Sequence, residues 1–86
     1  MTQKNLMDTF FSVVNDIKKT AFSADIIAPD FHLGGDLGID SREMLEIWYD
    51  LEKAVGVTVP DPEKRDIYTV QDVINVLEAK LALETA

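Results

Sequence analysis

The sequence predicts an all-α fold, a small antiparallel helical bundle of three main helices plus one short helix, with a long loop between the first two helices. Apolar residues recur at helical spacing in three separate segments of the chain. The run Val57-Thr58-Val59 has strand character, but it is too short and has no partner run. With 86 residues, the chain is expected to form a single domain over residues 1–86.

The helix boundaries follow from apolar periodicity and from capping residues. The predicted helices span, in chain order, about residues 3–19, 41–55, 61–66 and 70–83. Gly56 is a plausible stop for the second helix and Thr69 a reasonable N-cap for the last. Pro60 and Pro62 are compatible with the start of the short helix, because proline is tolerated in a first turn.

Residues 20–40 show no clear periodicity, and a structureless stretch of that length is uncommon in a compact domain unless it has a role. Gly34-Gly35 can supply a turn within it. Five apolar side chains are expected to hold this loop against the bundle: Ile26, Ile27, Phe31, Leu33 and Leu37.

The second helix has two distinct faces. At about 100° per residue, one stripe faces inward; it consists of Met44, Ile47, Trp48, Leu51 and Val55. Leu45 and Tyr49 fall well off that stripe, beside Arg42, Glu46 and Lys53. Packing in the core explains the residues of the inward stripe. It does not explain why Leu45 and Tyr49, which are apolar, lie on the exposed face.

Composition excludes several classes of function. The chain has no cysteine, which rules out a disulfide framework and a thiolate site. The net charge of −8 disfavours nucleic acid as a partner and favours proteins with basic patches. No apolar run is long enough to cross a membrane, so we expect a soluble, cytoplasmic protein.

No enzymatic constellation is present in the sequence, and we expect neither catalytic residues nor a metal site. His32, the one histidine, has no serine or cysteine partner nearby in sequence. Gly34-Gly35 is not followed by the lysine and hydroxyl residue of a nucleotide loop. Asp36, Asp40 and Glu43 could hold a cation weakly, but they fail the calcium-loop pattern, because Ile47 stands where the closing glutamate should be.

A series of short motifs runs along the chain in a fixed order. They are Leu37-Gly38-Ile39-Asp40-Ser41, Glu46, Leu51-Glu52, Val59-Pro60-Asp61 and Ile67-Tyr68-Thr69-Val70-Gln71-Asp72. This order resembles the acyl carrier protein family from the first helix to the last. Asp-Ser alone is a common dipeptide and indicates little. Asp-Ser that follows Leu-Gly and precedes Pro-Asp and Thr-Val at these distances is a specific signal for the family.

The resemblance implies that Ser41 receives 4′-phosphopantetheine from coenzyme A through a phosphopantetheinyl transferase. The thiol of the arm would then carry acyl, ketide or aminoacyl groups as thioesters, while the protein itself does no chemistry. Asp40 resembles the residue that assists installation, although alone it could be only a capping carboxylate. For Ser41 as an isolated residue, a helix N-cap is the commoner interpretation.

The resemblance also implies a docking face on the second helix, made of Arg42, Leu45, Glu46, Tyr49 and Glu52. Arg42 departs from the family, which most often has leucine directly after the serine. Lys64 and Arg65 also stand in a stretch that is usually acidic in the family, and Trp48 and Tyr49 are bulkier than usual at their places. We interpret these departures as a free-standing carrier dedicated to a polyketide or nonribosomal peptide pathway; carriers of this type usually work as monomers. Its partners would include a loading ligase or adenylating enzyme and a ketosynthase or condensing enzyme.

Two further expectations concern the cargo and the alternative function. Trp48 is expected in the core, where its volume would favour short, polar or stacked cargo over long saturated chains. The alternative is an unmodified helical adaptor that keeps a carrier-like fold and uses the second helix only for docking; Arg42 is the feature that gives this alternative weight.

Overall fold

The computed structural model describes residues 3–85, with the side chains of residues 5–83, and confirms the all-helical fold. Its α-helices are α1 (Gln3–Lys18), α2 (Ser41–Val55) and α3 (Val70–Thr85), and a 3₁₀ helix covers Asp61–Lys64. The short helix is therefore tighter and shorter than the sequence predicts. Residues 1, 2 and 86 of the expected single domain lie outside the described residues.

The core forms where α1 packs against both α2 and α3. The fully buried side chains at its centre come from all three helices: Leu6, Phe10, Val14, Ile47, Leu51, Val70, Val73, Ile74 and Leu77. Phe10 and Phe11 add an edge-to-face ring contact, with centroids 5.5 Å apart. Burying each such aliphatic or aromatic side chain stabilises the fold by roughly 1.5–3 kcal/mol before entropy is counted.

The long loop after α1 is held against the bundle, largely as its apolar residues predict. Ile27, Leu33 and Leu37 are buried, and Phe31 is half-buried. Ile26 is the exception, because 63% of it is exposed, so its expected anchoring role is wrong. Its neighbour Ile27 takes the core position instead.

Backbone hydrogen bonds tie this loop to the segment that leads into α3. The N–H of Leu33 donates to the carbonyl of Tyr68 at 2.8 Å, and the N–H of Val70 donates to the carbonyl of Phe31 at 3.1 Å. Between them, His32 and Thr69 form an isolated antiparallel bridge. The two segments that border the start of α2 are thereby fixed to each other.

Caps confirm the predicted C-terminal end of α2 and the predicted start of α3, whereas α3 continues to Thr85, two residues beyond its predicted end. Gly56 adopts a left-handed conformation with φ of 83°, and its N–H donates to the carbonyl of Glu52 at 2.8 Å. Thr69 Oγ1 accepts a hydrogen bond from the N–H of Asp72 at 3.2 Å at the start of α3. Val57 and Val59 are buried without forming a strand.

In the part of the chain that the structure describes, no helix is both long and apolar enough to span a bilayer.

Candidate functional site

Asp40 caps α2, and Ser41 is the first residue inside the helix. Asp40 Oδ1 accepts a hydrogen bond from the N–H of Glu43 at 2.8 Å, and the N–H of Asp40 donates to Glu43 Oε1 at 3.1 Å. This reciprocal pair is a capping box. The capping role that Ser41 could have taken thus belongs to Asp40. Ser41 is exposed, and its hydroxyl makes no hydrogen bond to the described side chains.

The turn before this cap depends on Gly38 and on a lysine from α1. Gly38 has φ of 71°, a left-handed conformation that glycine adopts without strain. Its carbonyl accepts a hydrogen bond from Lys18 Nζ at 2.9 Å, and the same ammonium group pairs with the Glu43 carboxylate. The end of α1 therefore holds both the glycine turn and the first turn of α2 in place.

Two grooves open at Ser41. The loop-side groove, of about 360 Å³, lies between the long loop and the segment before α3; its lining includes His32, Gly34, Asp40, Ser41, Ile67 and Tyr68. The helix-side groove, of about 300 Å³, lies between α2 and the 3₁₀ helix; its lining includes Ser41, Met44, Leu45, Trp48, Lys64 and Arg65. Ser41 lines both grooves, so a group attached there could lie in either of them.

The outer face of α2 carries the exposed apolar residues that the helical stripe predicts. Leu45 is 68% exposed and Tyr49 is 63% exposed, whereas Trp48 between them is buried. Lys53 Nζ lies 5.0 Å from the centroid of the Tyr49 ring, a cation–π contact at the surface. Glu46 is exposed beside this pair. Exposed apolar side chains surrounded by charged residues are common on surfaces that bind other proteins transiently.

Arg42 differs from most basic residues near it. It is exposed at the second position of α2, and it has no ion pair among the described residues. Its guanidinium group is therefore free to meet an anion from outside the chain.

Glu52 differs from the other four residues of the expected docking face. Its side chain is only 22% exposed and pairs with Lys64 Nζ at 3.0 Å. Its Oε1 also accepts a hydrogen bond from the N–H of Val59 at 3.3 Å. These contacts hold the 3₁₀ helix and the segment before it against α2, so Glu52 acts here as an internal anchor.

Lys64 closes the helix-side groove over Trp48. Its ammonium lies 5.7 Å from the centroid of the Trp48 ring, in addition to its pair with Glu52. Trp48 is in the core, as the sequence predicts, with 3% of its surface exposed. Since the 3₁₀ helix has no buried residue of its own, these charged contacts are important for its position.

A cluster of polar groups stabilises the segment beside the loop-side groove. Asp72 Oδ2 accepts hydrogen bonds from the N–H groups of Tyr68 at 3.0 Å and Thr69 at 3.1 Å. The bond from Tyr68, aided by those from Thr69, holds the pKa of Asp72 below its ordinary value. The Tyr68 hydroxyl donates to Asp66 at 3.1 Å, and this hydrogen bond, together with the Asp66 charge, raises the pKa of Tyr68.

The acidic residues near Ser41 are engaged in structural contacts. Asp36 Oδ2 accepts a hydrogen bond from the N–H of His32 at 2.7 Å, and Asp40 and Glu43 form the capping box. Among the described residues, no group of three or more histidine and acidic side chains is placed to hold a metal ion. His32 is exposed on the loop.

Sequence reasoning missed three basic residues of the site. Lys18, Lys64 and Arg65 come from α1, the 3₁₀ helix and the residue that follows it. Apolar periodicity does not report on such residues, and their partners are distant in sequence. For Lys64 and Arg65, the available signal was that they stand in a stretch that is usually acidic in the family that the chain resembles.

Fold and site together define a small helical protein that presents one serine hydroxyl at a helix start, between two grooves. Comparison with known proteins agrees with this class. No family model matches the chain. It is similar to the acyl carrier protein of Thermobifida fusca, with 32% identity over 90% of this chain and 95% of that protein. It is also similar to the acyl carrier proteins of Chlorobium phaeovibrioides, with 30% identity over 93% of this chain and all of that protein, and of Rickettsia bellii, with 42% identity over 60% of this chain and 64% of that protein.

The chain belongs to the acyl carrier protein family. Proteins of this family are carriers and not enzymes, and their prosthetic group is covalently bound 4′-phosphopantetheine. Membership implies interaction with a phosphopantetheinyl transferase and with biosynthetic enzymes.

Proposed function

We propose that Ser41 is the attachment point of 4′-phosphopantetheine and that the arm carries biosynthetic intermediates as thioesters on its terminal thiol. The observation that supports this most directly is the exposed Ser41 hydroxyl in the first turn of α2. The first N–H groups of a helix have no partner within the helix and, with the helix dipole, favour a phosphate. The residues present therefore fit a phosphodiester at this position.

Asp40 has a second role in this proposal besides capping. Its Oδ1 is used by the capping box, while the residue as a whole is exposed. The second carboxylate oxygen is therefore accessible to the transferase and its metal ion during installation. Asp40→Asn would keep the cap, since asparagine is also a good N-cap, and should slow installation without unfolding the protein.

Intact mass tests the attachment. After incubation with coenzyme A and a broad-specificity transferase, we expect a gain of roughly 340 Da, the mass of the arm. Ser41→Ala should abolish the gain. Ser12→Ala, which removes an exposed serine of α1, should leave it unchanged. A chain that gains no mass under these conditions would instead support the unmodified adaptor, which Arg42 alone favours.

We further propose that the carrier serves a dedicated natural-product pathway, polyketide or nonribosomal peptide, and that it works in the cytoplasm as a single-domain monomer. The support is the charge around Ser41, where Arg42 and Arg65 have no ion pair among the described residues. A partner shaped for an apolar residue after the serine would bury an unpaired guanidinium, which is costly. The partners in this proposal are a loading ligase or adenylating enzyme and a ketosynthase or condensing enzyme.

The docking face in this proposal consists of Arg42, Leu45, Glu46 and Tyr49, without Glu52. Leu45 and Tyr49 supply the apolar centre, and Glu46 and Arg42 supply charges of opposite sign. Such a surface speeds encounter more than it tightens a complex, which suits a carrier that must dissociate.

Elongation by the general fatty-acid ketosynthases of the cell tests the dedication. We expect the acyl form of the wild-type chain to be a poor substrate and Arg42→Leu to improve it. Arg42→Gln is the matched control, because it removes the same charge from the same position without supplying an apolar residue. Efficient elongation of the wild-type chain would contradict a dedicated pathway while leaving Ser41 attachment intact.

A further inference from the structure

Arg65 is an exposed cation without an ion pair among the described residues of this acidic chain. The sequence has 16 acidic and 8 basic residues, so carboxylates are abundant. Lys18, Lys64 and Lys80 each form an ion pair with one of them. Arg65 forms none among the described residues, although it lies next to Asp66 in the chain. A guanidinium kept free in such a chain is available for an anion from elsewhere.

Arg65 lines the helix-side groove together with Ser41. The other basic residue of that groove, Lys64, is already engaged with Glu52 and Asp61. Asp61 also lines the groove, but its carboxylate is 96% exposed and lies 3.7 Å from Lys64, so solvent and the ammonium weaken its repulsion of an anion. Arg65 is therefore the group in this groove best suited to meet an anion at Ser41.

The loop-side groove is a poorer place for an anion. It includes the carboxylate of Asp40, which is adjacent to Ser41, and has neither lysine nor arginine in its lining. Both grooves offer apolar contact to a hydrocarbon segment, since Met44 lines both of them, with Ile39 and Ile67 on the loop side and Leu45 on the helix side, so charge distinguishes the two grooves. A group with a phosphate at one end and a hydrocarbon segment next to it matches the helix-side groove better.

We propose that the helix-side groove binds the part of the 4′-phosphopantetheine arm nearest to Ser41, with the Arg65 guanidinium donating hydrogen bonds to the phosphodiester. Guanidinium and phosphate match in geometry, and their pairing is stronger than that of neutral groups. Met44 and Leu45 contact the adjoining hydrocarbon. The arm then leaves the protein along the 3₁₀ helix and not over the long loop. This assignment rests on the proposed attachment at Ser41.

Hydrogen exchange and phosphorus NMR of the apo and holo forms test the assignment. In the wild type, attachment of the arm should slow exchange of the Glu63, Lys64 and Arg65 amides by up to about fivefold, the effect of one exposed ion pair. It should also give a phosphorus resonance that moves with ionic strength, as the pair is screened. Arg65→Gln should remove both effects. Lys19→Gln, which replaces the exposed lysine directly after α1, changes net charge equally and should remove neither effect.

Three results would overturn the assignment. The first is equal exchange of the Glu63, Lys64 and Arg65 amides in the apo and holo wild type. The second is slowing at His32, Gly34 and Tyr68, which would place the arm in the loop-side groove. The third is loss of both effects in Arg42→Gln with none in Arg65→Gln. Failure of the attachment itself is distinct, since no holo form with the added mass would then exist to compare.

Discussion

Lys18 Nζ, in the last turn of α1, lies 3.0 Å from Glu43 Oε1, in the first turn of α2. The two side chains are 16% and 26% exposed, so the pair is partly shielded from solvent. Glu43 also completes the capping box with Asp40. This contact therefore links the packing of α1 to the geometry of the turn that presents Ser41.

Lys18→Met should destabilise the protein by about 1 kcal/mol, because it leaves Glu43 and the Gly38 carbonyl without the ammonium. Methionine keeps much of the aliphatic contact, so the loss reports on the charge. Urea denaturation measures the change. Lys19→Met, at the next residue, is exposed and should change stability by less than about 0.5 kcal/mol. Equal effects of the two substitutions would contradict a specific role for the pair.

Lys64 is expected to control how well Trp48 is covered. Lys64→Ala removes the ion pair with Glu52 and the ammonium over the indole, so the 3₁₀ helix should separate more readily from α2. Trp48 is the one tryptophan of the sequence, and its fluorescence reports on the site alone. Acrylamide should quench it more strongly in Lys64→Ala than in the wild type.

Lys80 provides the matched control for the Lys64 experiment. It pairs with Glu63, in the same 3₁₀ helix, at 2.6 Å, whereas the cation–π contact with the indole comes from Lys64. Lys80→Ala should therefore loosen the 3₁₀ helix less and leave quenching closer to the wild-type value. Identical quenching in the wild type and Lys64→Ala would show that Trp48 is protected by the core alone.

Asp72 should make stability depend on pH in the acid range. Its pKa in the folded state is lowered from an ordinary value of 3.8, first by the hydrogen bond from the Tyr68 N–H. A carboxyl group with a lowered pKa stabilises the fold above its unfolded pKa, and this contribution is lost as pH falls through the folded pKa. The advantage of the wild type over Asp72→Asn should therefore be complete above about pH 5 and shrink below 3.8.

Urea midpoints measured between pH 3 and 7 test this dependence, with Asp16→Asn as the control. Asp16 is an exposed carboxylate of α1 and has no hydrogen bond among the described residues. The difference in urea midpoint between the wild type and Asp72→Asn should shrink at acid pH. If it stayed constant, the stabilisation by Asp72 would come from hydrogen-bond geometry and not from its charge.

The sequence identified the parts of the site that depend on local patterns. Helical periodicity placed Trp48 in the core and left Leu45 and Tyr49 exposed, and the structure agrees. The start of α2 at Ser41 followed from the glycine-bearing run before it. These features depend on residues within one or two helical turns of each other, so a single chain segment contains the information.

Contacts between distant segments were not predictable in the same way. Glu52 resembles a surface carboxylate within α2, and only the approach of Lys64 turns it into an anchor. Ile26 and Ile27 have nearly the same side chain, and loop geometry alone decides that Ile27 is the buried one. Neither outcome is encoded by spacing or composition, because each depends on where another segment packs.

The most direct test of the central claim is the modification state of Ser41 in the protein purified from its own cells. Intact mass, followed by fragmentation of the peptide that contains Asp40 and Ser41, locates the arm. We expect a substantial fraction of the protein to carry 4′-phosphopantetheine on Ser41. A chain that is always unmodified at Ser41, even when its cognate transferase is present and active, would contradict the carrier function proposed for this residue.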